Sequence, residues 1–205
     1  MERRESMERR QSRESDQVNY QVRKFDLARV EGISSQALED HLGLYKGYVE
    51  NTNKLLEKSI RGNGNPGHEG WEHRLAFEFN GMVLHELFFE SLGGPGSKMS
   101  ASSVLAEAMD VTYGGAKAWR ERFLAIAKTR GIGWVMSARD RANNRLLTFW
   151  IDEHHLGLPA NLQPVVLLDL WEHAYLKDFG VKGREEYAEI VLNNLNWKVL
   201  ESRCA

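Results

Sequence analysis

From residue 37 onward the chain alternates between two kinds of apolar spacing. Leu38, His41, Leu42, Tyr45, Val49, Leu55 and Leu56 recur at three- and four-residue steps, which predicts a long amphipathic helix. Ser34 or Ser35 can cap its start, and Gly62 with the following NGNPG marks its end as a turn-rich loop. A second helix is predicted from about Trp71 to Leu92, closed by GGPG. Its apolar residues cover more than one face, so it is expected to be buried on two sides. Two long helices joined by such a loop read as an αα-hairpin.

Past Gly96 the pattern changes. SSVLAEAMDVTYGGAKAWRERFLAIAKTRG predicts two shorter helices broken at Gly114–Gly115. GWVMSARD and RLLTFWID flank Asn143–Asn144, a hairpin signal. PVVLLDL predicts a third strand running into a helix that begins at WEHAY, and REEYAEIVLNNLNWKVLES reads as one last amphipathic helix. The fold class is therefore α+β: a long N-terminal α-hairpin, residues 25–96, followed by an α/β domain with a three-stranded antiparallel sheet, residues 97–205. The first 24 residues are expected to be a disordered charged tail, because MERRESMERRQSRESD is almost devoid of apolar residues. The near-repeat within it makes Met7 an alternative start.

Composition narrows the function classes. A net charge of −2 and a pI near 6.4 give no electrostatic reason to expect nucleic-acid binding. Apolar runs such as PVVLL are too short to span a bilayer, and the charged start lacks the apolar core of a secretory signal. The single cysteine, Cys204, allows no intramolecular disulfide and no cysteine metal site, which fits a reducing, cytoplasmic setting.

The chemistry concentrates in LLDLWEHAYL, residues 167–176. Two carboxylates and an imidazole directly behind an aliphatic run must be desolvated, and such groups stay buried only when paired or bound to a metal. His173 follows Asp169 by four residues. His41 and His85 each fall in the apolar phase of a helix, where a lone histidine is usually a hydrogen-bonded core residue. Three imidazoles and one carboxylate together suit iron, manganese or zinc, with two ligands from each half of the chain. His68 and His73, five residues apart, read as ordinary surface histidines.

DLWEHAY at 169–175 is very similar to the signature of the iron/manganese superoxide dismutases. The resemblance covers about residues 25–200 through HLGLYKGYV, FNGMVLHELFF, GIGW and NLNW. It implies one iron or manganese ion per subunit, held by His41, His85, Asp169 and His173, with iron slightly favoured. It further implies Trp171 as a wall of the metal pocket and Tyr48 as the active-site tyrosine near the substrate entrance. Glu172 is implied to cross the interface of a homodimer and bond the partner subunit's His173; pairing of dimers into tetramers is left open. The implied activity is superoxide dismutation.

Three departures from the family pattern matter. His41 to Tyr48 spans seven residues where eight are usual; seven steps of 100° return to within about 20° of the starting face, which predicts a straighter helix. The family's histidine–tyrosine contact at the interface is replaced here by Leu44–Tyr45 and Leu176. The first-half position for the partner of the solvent on the metal is Gly81, which is expected to leave a gap beside the metal. Counting back from Asp169 through DEHHLGLP favours His154 for that role, with His155 its neighbour and rival. Two other classes compete: a non-haem iron or zinc enzyme of another kind, although no HExxH pattern is present, and a non-catalytic relative that kept the fold alone.

Overall fold

The structure, a computed structural model, describes residues 19–61 and 71–204. The turn-rich loop with His68 and most of the charged tail lie outside the described residues. Among these residues run α1 (Ser35–Arg61), α2 (Trp71–Glu90), α3 (Val104–Tyr113), α4 (Ala116–Ala127), β1 (Gly133–Asp140), β2 (Arg145–Asp152), β3 (Gln163–Asp169), α5 (Glu172–Phe179), α6 (Arg184–Asn193) and α7 (Trp197–Cys204). The α+β class and the three-stranded antiparallel sheet, with order β2-β1-β3, match the expectation.

Ser34 is the cap of α1: its Oγ accepts from the backbone N–H of Ala37 at 3.1 Å. Ser34 also donates twice to Asp178 of α5, from its N–H at 2.7 Å and its hydroxyl at 2.8 Å, so the start of the first long helix is tied to the second half of the chain. The helix then continues without interruption to Arg61, as the seven-residue spacing predicts. Its buried residues His41, Tyr45, Val49 and Thr52 form one stripe against α2, whose Met82, Leu84, His85, Phe88 and Phe89 are buried over more than one face. The break between α3 and α4 falls at Gly114–Gly115, where Gly114 closes α3 in the left-handed conformation.

The strand β1 sits in the middle of the sheet, and Trp134, Val135 and Met136 are fully enclosed. On one side it pairs with β2; on the other, Trp134 lies opposite Asp169 of β3. The register with β3 shifts between Ser137 and Ala138, opposite Val166 and Pro164. Proline lacks the N–H a ladder needs, and β3 is an edge strand where that loss is tolerated. Helices α2 and α7 pack on β3, and α3 and α4 on β2 and β1.

Two expectations are corrected. The last helix is two, α6 and α7, because the Asn194 side chain leaves the helical pattern to clamp other segments. Its amide oxygen accepts from Glu31 N–H at 2.8 Å, and its amide nitrogen donates to the carbonyls of Glu31 at 2.8 Å and Ile190 at 2.9 Å. Next to it, Asn196 N–H donates to Ser91 O at 2.7 Å and Gly94 N–H to Asn194 O at 3.1 Å. The NLNW stretch thus fastens the segment before α1 and the end of α2 to the C-terminal helices. The second correction concerns residues 19–24, placed in the tail by their polarity. They lie extended along the hairpin: Tyr20 N–H donates to Asn53 Oδ1 at 2.8 Å, and Arg23 N–H to Tyr45 Oη at 2.9 Å. Backbone donors meeting side chains of α1 order the segment without any apolar periodicity of its own.

Candidate metal centre

His41 from α1, His85 from α2, Asp169 from the end of β3 and His173 from the first turn of α5 come together. Their potential ligand atoms all lie within 4.8 Å of one another. Asp169 Oδ2 is 3.0 Å from His41 Nε2, 3.2 Å from His173 Nε2 and 3.4 Å from His85 Nε2. The other oxygen, Oδ1, accepts the backbone N–H of Trp171 at 2.9 Å, which turns Oδ2 toward the imidazoles. That turn explains the D-x-W spacing: an aspartate bonding the backbone two residues on leaves the strand and starts the helix that carries His173.

The donor set fits a metal ion. His85 Nδ1–H donates to Gly81 O at 2.6 Å, so its proton is on that nitrogen and its Nε2 carries a lone pair. This Nε2 is buried and, among the described residues, has no hydrogen-bond partner. Three imidazole nitrogens around one carboxylate oxygen are donors that a cation satisfies at once. Burial pushes His85 well below the usual histidine range and lowers His41, with Asp169 opposing in both cases. Burial also acts to raise Asp169, but the charge of His173 and bonds from His173 and His41 prevail and hold it well below the usual carboxylate range. Neutral imidazoles and an ionised carboxylate are the ligating forms.

The residues around this set overturn one expectation, the gap at Gly81. His154 is fully buried, whereas His155 is half-buried and packs against His73 and Phe77, at 5.0 and 5.6 Å between ring centroids. Glu153, with φ of 51°, bends the chain out of β2 and aims its successor inward. His154 Nδ1 accepts the indole N–H of Trp134 at 3.0 Å, and Nε2 lies 2.7 Å from the Tyr48 hydroxyl. The Trp171 ring stacks on His154 at 4.8 Å and on His173 at 5.8 Å, while its Nε1–H donates to Glu153 O at 3.3 Å. Gly81 does not leave a gap. A Cβ placed there would lie 2.6 Å from Tyr48 Cδ1, so the tyrosine ring itself occupies the space.

Trp134 and Phe77 escaped the sequence reading as site residues. The signal for Trp134 is the glycine before it: Gly133 has φ of 148°, and a Cβ there would sit 2.0 Å from Ile151 O. Phe77 lies eight residues before His85 and touches His154 at 4.6 Å; nothing in its spacing separates it from a core aromatic.

At the surface beside His173, a depression is lined by Ala37, Asp40, Leu44, Glu172, His173, Leu176 and Lys177. Leu44 is 42% exposed and Leu176 40%, so this apolar pair faces outward. Tyr45 turns in instead and donates to Glu86 Oε1 at 2.8 Å.

The family model for iron/manganese superoxide dismutases, C-terminal domain, matches residues 101–203. The chain is 32% identical over 184 residues to the superoxide dismutase [Fe] of Aquifex aeolicus, with 85% of each chain covered. It is 32% identical over 179 residues to the superoxide dismutase [Mn] of Mycobacterium intracellulare, covering 84% of this chain and 85% of that one. To the superoxide dismutase [Fe] of Cupriavidus metallidurans it is 34% identical over 128 residues, 62% of each. Ligand geometry, sheet order and these similarities agree, and the chain belongs to the iron/manganese superoxide dismutase family.

Proposed function

We propose that this protein converts two superoxide radicals and two protons to dioxygen and hydrogen peroxide. The observation that carries the reading is the set of His41, His85, Asp169 and His173, the first three buried, whose potential ligand atoms all lie within 4.8 Å of one another. A bound iron or manganese ion would supply the one-electron couple that accepts an electron from one superoxide and returns it to a second.

The chain's own residues manage protons and access. The indole N–H of Trp134 can only donate, so the neutral His154 ring must carry its proton on Nε2 and donate it to Tyr48 Oη. Burial lowers His154 to about 4, which keeps the ring neutral at physiological pH. Burial likewise raises Tyr48 well above the ordinary phenol range, with Asp169 and Glu78 adding to it. The result is a directed chain, Trp134 to His154 to Tyr48, that leaves the phenolic proton free to point at whatever lies beside the metal ligands. Trp171 closes the opposite wall and holds both His154 and His173 by stacking.

Iron is slightly favoured over manganese, because His154 rather than an amide lies beside the ligand set and Gly81 offers no side chain; relatives of both names are similar to this chain. The outward-facing Leu44 and Leu176 beside Glu172 support a homodimer, in which Glu172 accepts from the partner subunit's His173. The seat of action is read as the cytoplasm; among the described residues no helix is long and apolar enough to cross a membrane. Metal analysis with a superoxide-consumption assay on the purified protein tests the reading. One iron or manganese per chain and rapid superoxide consumption are expected. Metal without consumption would favour another non-haem metal enzyme, and neither would favour a relative that kept only the fold.

A further inference from the structure

A second pair of imidazoles meets beside Phe77, apart from the four ligands. His73 comes from the first turn of α2 and His155 from the bend that follows β2. Their ring centroids are 5.0 Å apart and their planes cross at 87°. His73 is exposed and His155 half-buried. Both ring nitrogens of His155 are shut off from solvent, and among the described residues neither has a hydrogen-bond partner.

A neutral imidazole has one N–H to donate and one lone pair to fill. Burying such a group unmet costs about 1–3 kcal/mol, and native proteins seldom keep it so. Among the described residues, the other imidazole nitrogen left in this condition is His85 Nε2, which belongs to the metal-ligand set. Ring geometry points the same way. His41 and His85 lie 5.1 Å apart with their planes at 85°, so His73 and His155 repeat the disposition of two imidazoles that share one ligand cluster. An edge-to-face ring contact accounts for the angle but satisfies neither nitrogen. A cation accounts for both, because it takes the lone pair of one nitrogen and fixes the proton on the other. The guanidinium of Arg74, which lies over Phe77, is paired with Glu78 and sets no net positive charge against a cation.

We propose that His73 and His155 form a second metal site, separate from the four-ligand centre, for a divalent cation that favours imidazole, of the zinc and copper class. His155 is the anchored ligand. His73, on the surface, closes on the same ion and leaves the remaining coordination positions to solvent. The ion ties the first turn of α2 to the bend that carries His154. The site does not depend on the reaction assigned to the first centre.

The test uses the full-length protein with its four-ligand centre already loaded with iron. Zn²⁺ is added by equilibrium dialysis, and zinc and iron are counted per chain for wild type, His73→Gln and His155→Gln. Wild type should take up one zinc per chain while keeping its iron. Each variant should bind zinc about tenfold more weakly or worse, since losing even an outer group around a metal costs about 10–100-fold in affinity. Cu²⁺ in place of zinc gives a second readout: its electron paramagnetic resonance spectrum should show coupling to two imidazole nitrogens in wild type and to one in His73→Gln. His73 is exposed, so that variant keeps the fold, and its spectrum decides the matter if His155→Gln does not fold. No zinc bound beyond the iron, zinc uptake matched by iron release, or equal zinc affinity in His73→Gln and wild type would each overturn the proposal.

Discussion

At the scale of single residues, the site depends on side chains that fix their neighbours. Trp134 is the clearest case, because its N–H decides which nitrogen of His154 carries the proton. Trp134→Phe keeps the ring and removes that donor, leaving His154 free to adopt either tautomer. The expected result is unchanged metal content with turnover slowed about tenfold to a hundredfold, the range seen when residues that orient a metal site are lost. Stopped-flow superoxide decay with parallel metal analysis checks it, and normal turnover would dismiss the assigned tautomer. Gly81 makes a second case. Its missing side chain makes room for the Tyr48 ring, so Gly81→Ala must displace a buried aromatic. A destabilisation of about 1–3 kcal/mol is expected from such overpacking, read as a lower urea midpoint. Equal stability of the variant would mean the ring moves without cost. The sequence shows the absence of a side chain at 81 but not what fills the space, since that depends on how two helices approach each other. Likewise counting favours His154 over His155, while the indole partner of His154 comes from a neighbouring strand that spacing does not connect to it.

At the scale of elements, the pattern of apolar positions carries most of the fold. The two long helices, the glycine break between α3 and α4 and the three strands all follow from periodicity and turn residues. The failure at Asn194 has a physical cause: apolar spacing runs on through Val191, Leu192, Leu195 and Leu200, all buried, so the pattern does not record that the backbone leaves the helix. A side-chain amide bonded to residue 31 is a tertiary event, invisible to local spacing. Asn194→Ala would leave the backbone N–H and carbonyl of Glu31 without their partner amide. A loss on the order of 1–3 kcal/mol is expected, since Glu31 is exposed and each of these two hydrogen bonds contributes about 0.5–1.5 kcal/mol. Chemical denaturation monitored by tryptophan fluorescence reads it, and a variant as stable as wild type would show that water replaces the clamp.

At the scale of the whole molecule, the candidate metal centre draws its side chains from both halves. His41 and His85 come from the hairpin, and Asp169 and His173 from the strand and helix that follow the sheet. A metal that binds only this assembled set stabilises the native state by mass action. Removing it with a chelator at mildly acidic pH should lower the melting temperature by several degrees, on the scale of about 2–4 °C per kcal/mol for a chain of this size. Reloading iron should restore it, and a melting point indifferent to metal would argue that the halves are held by the Ser34–Asp178 and Asn194 contacts alone. The depression beside Glu172 belongs to the same scale. On the proposed homodimer, in which Glu172 would accept from the partner subunit's His173, Glu172→Ala should weaken self-association in sedimentation velocity; an unchanged dimer with unchanged activity would contradict that role.

The central claim is that four side chains hold a redox metal that consumes superoxide. The most direct measurement is the metal content and superoxide decay rate of His173→Ala beside wild type, both expressed in iron- and manganese-supplemented medium. The account predicts about one metal ion per chain and rapid decay for wild type, and for the variant a loss of most metal and nearly all of the catalysed decay. A His173→Ala protein with full metal content and wild-type decay would contradict it.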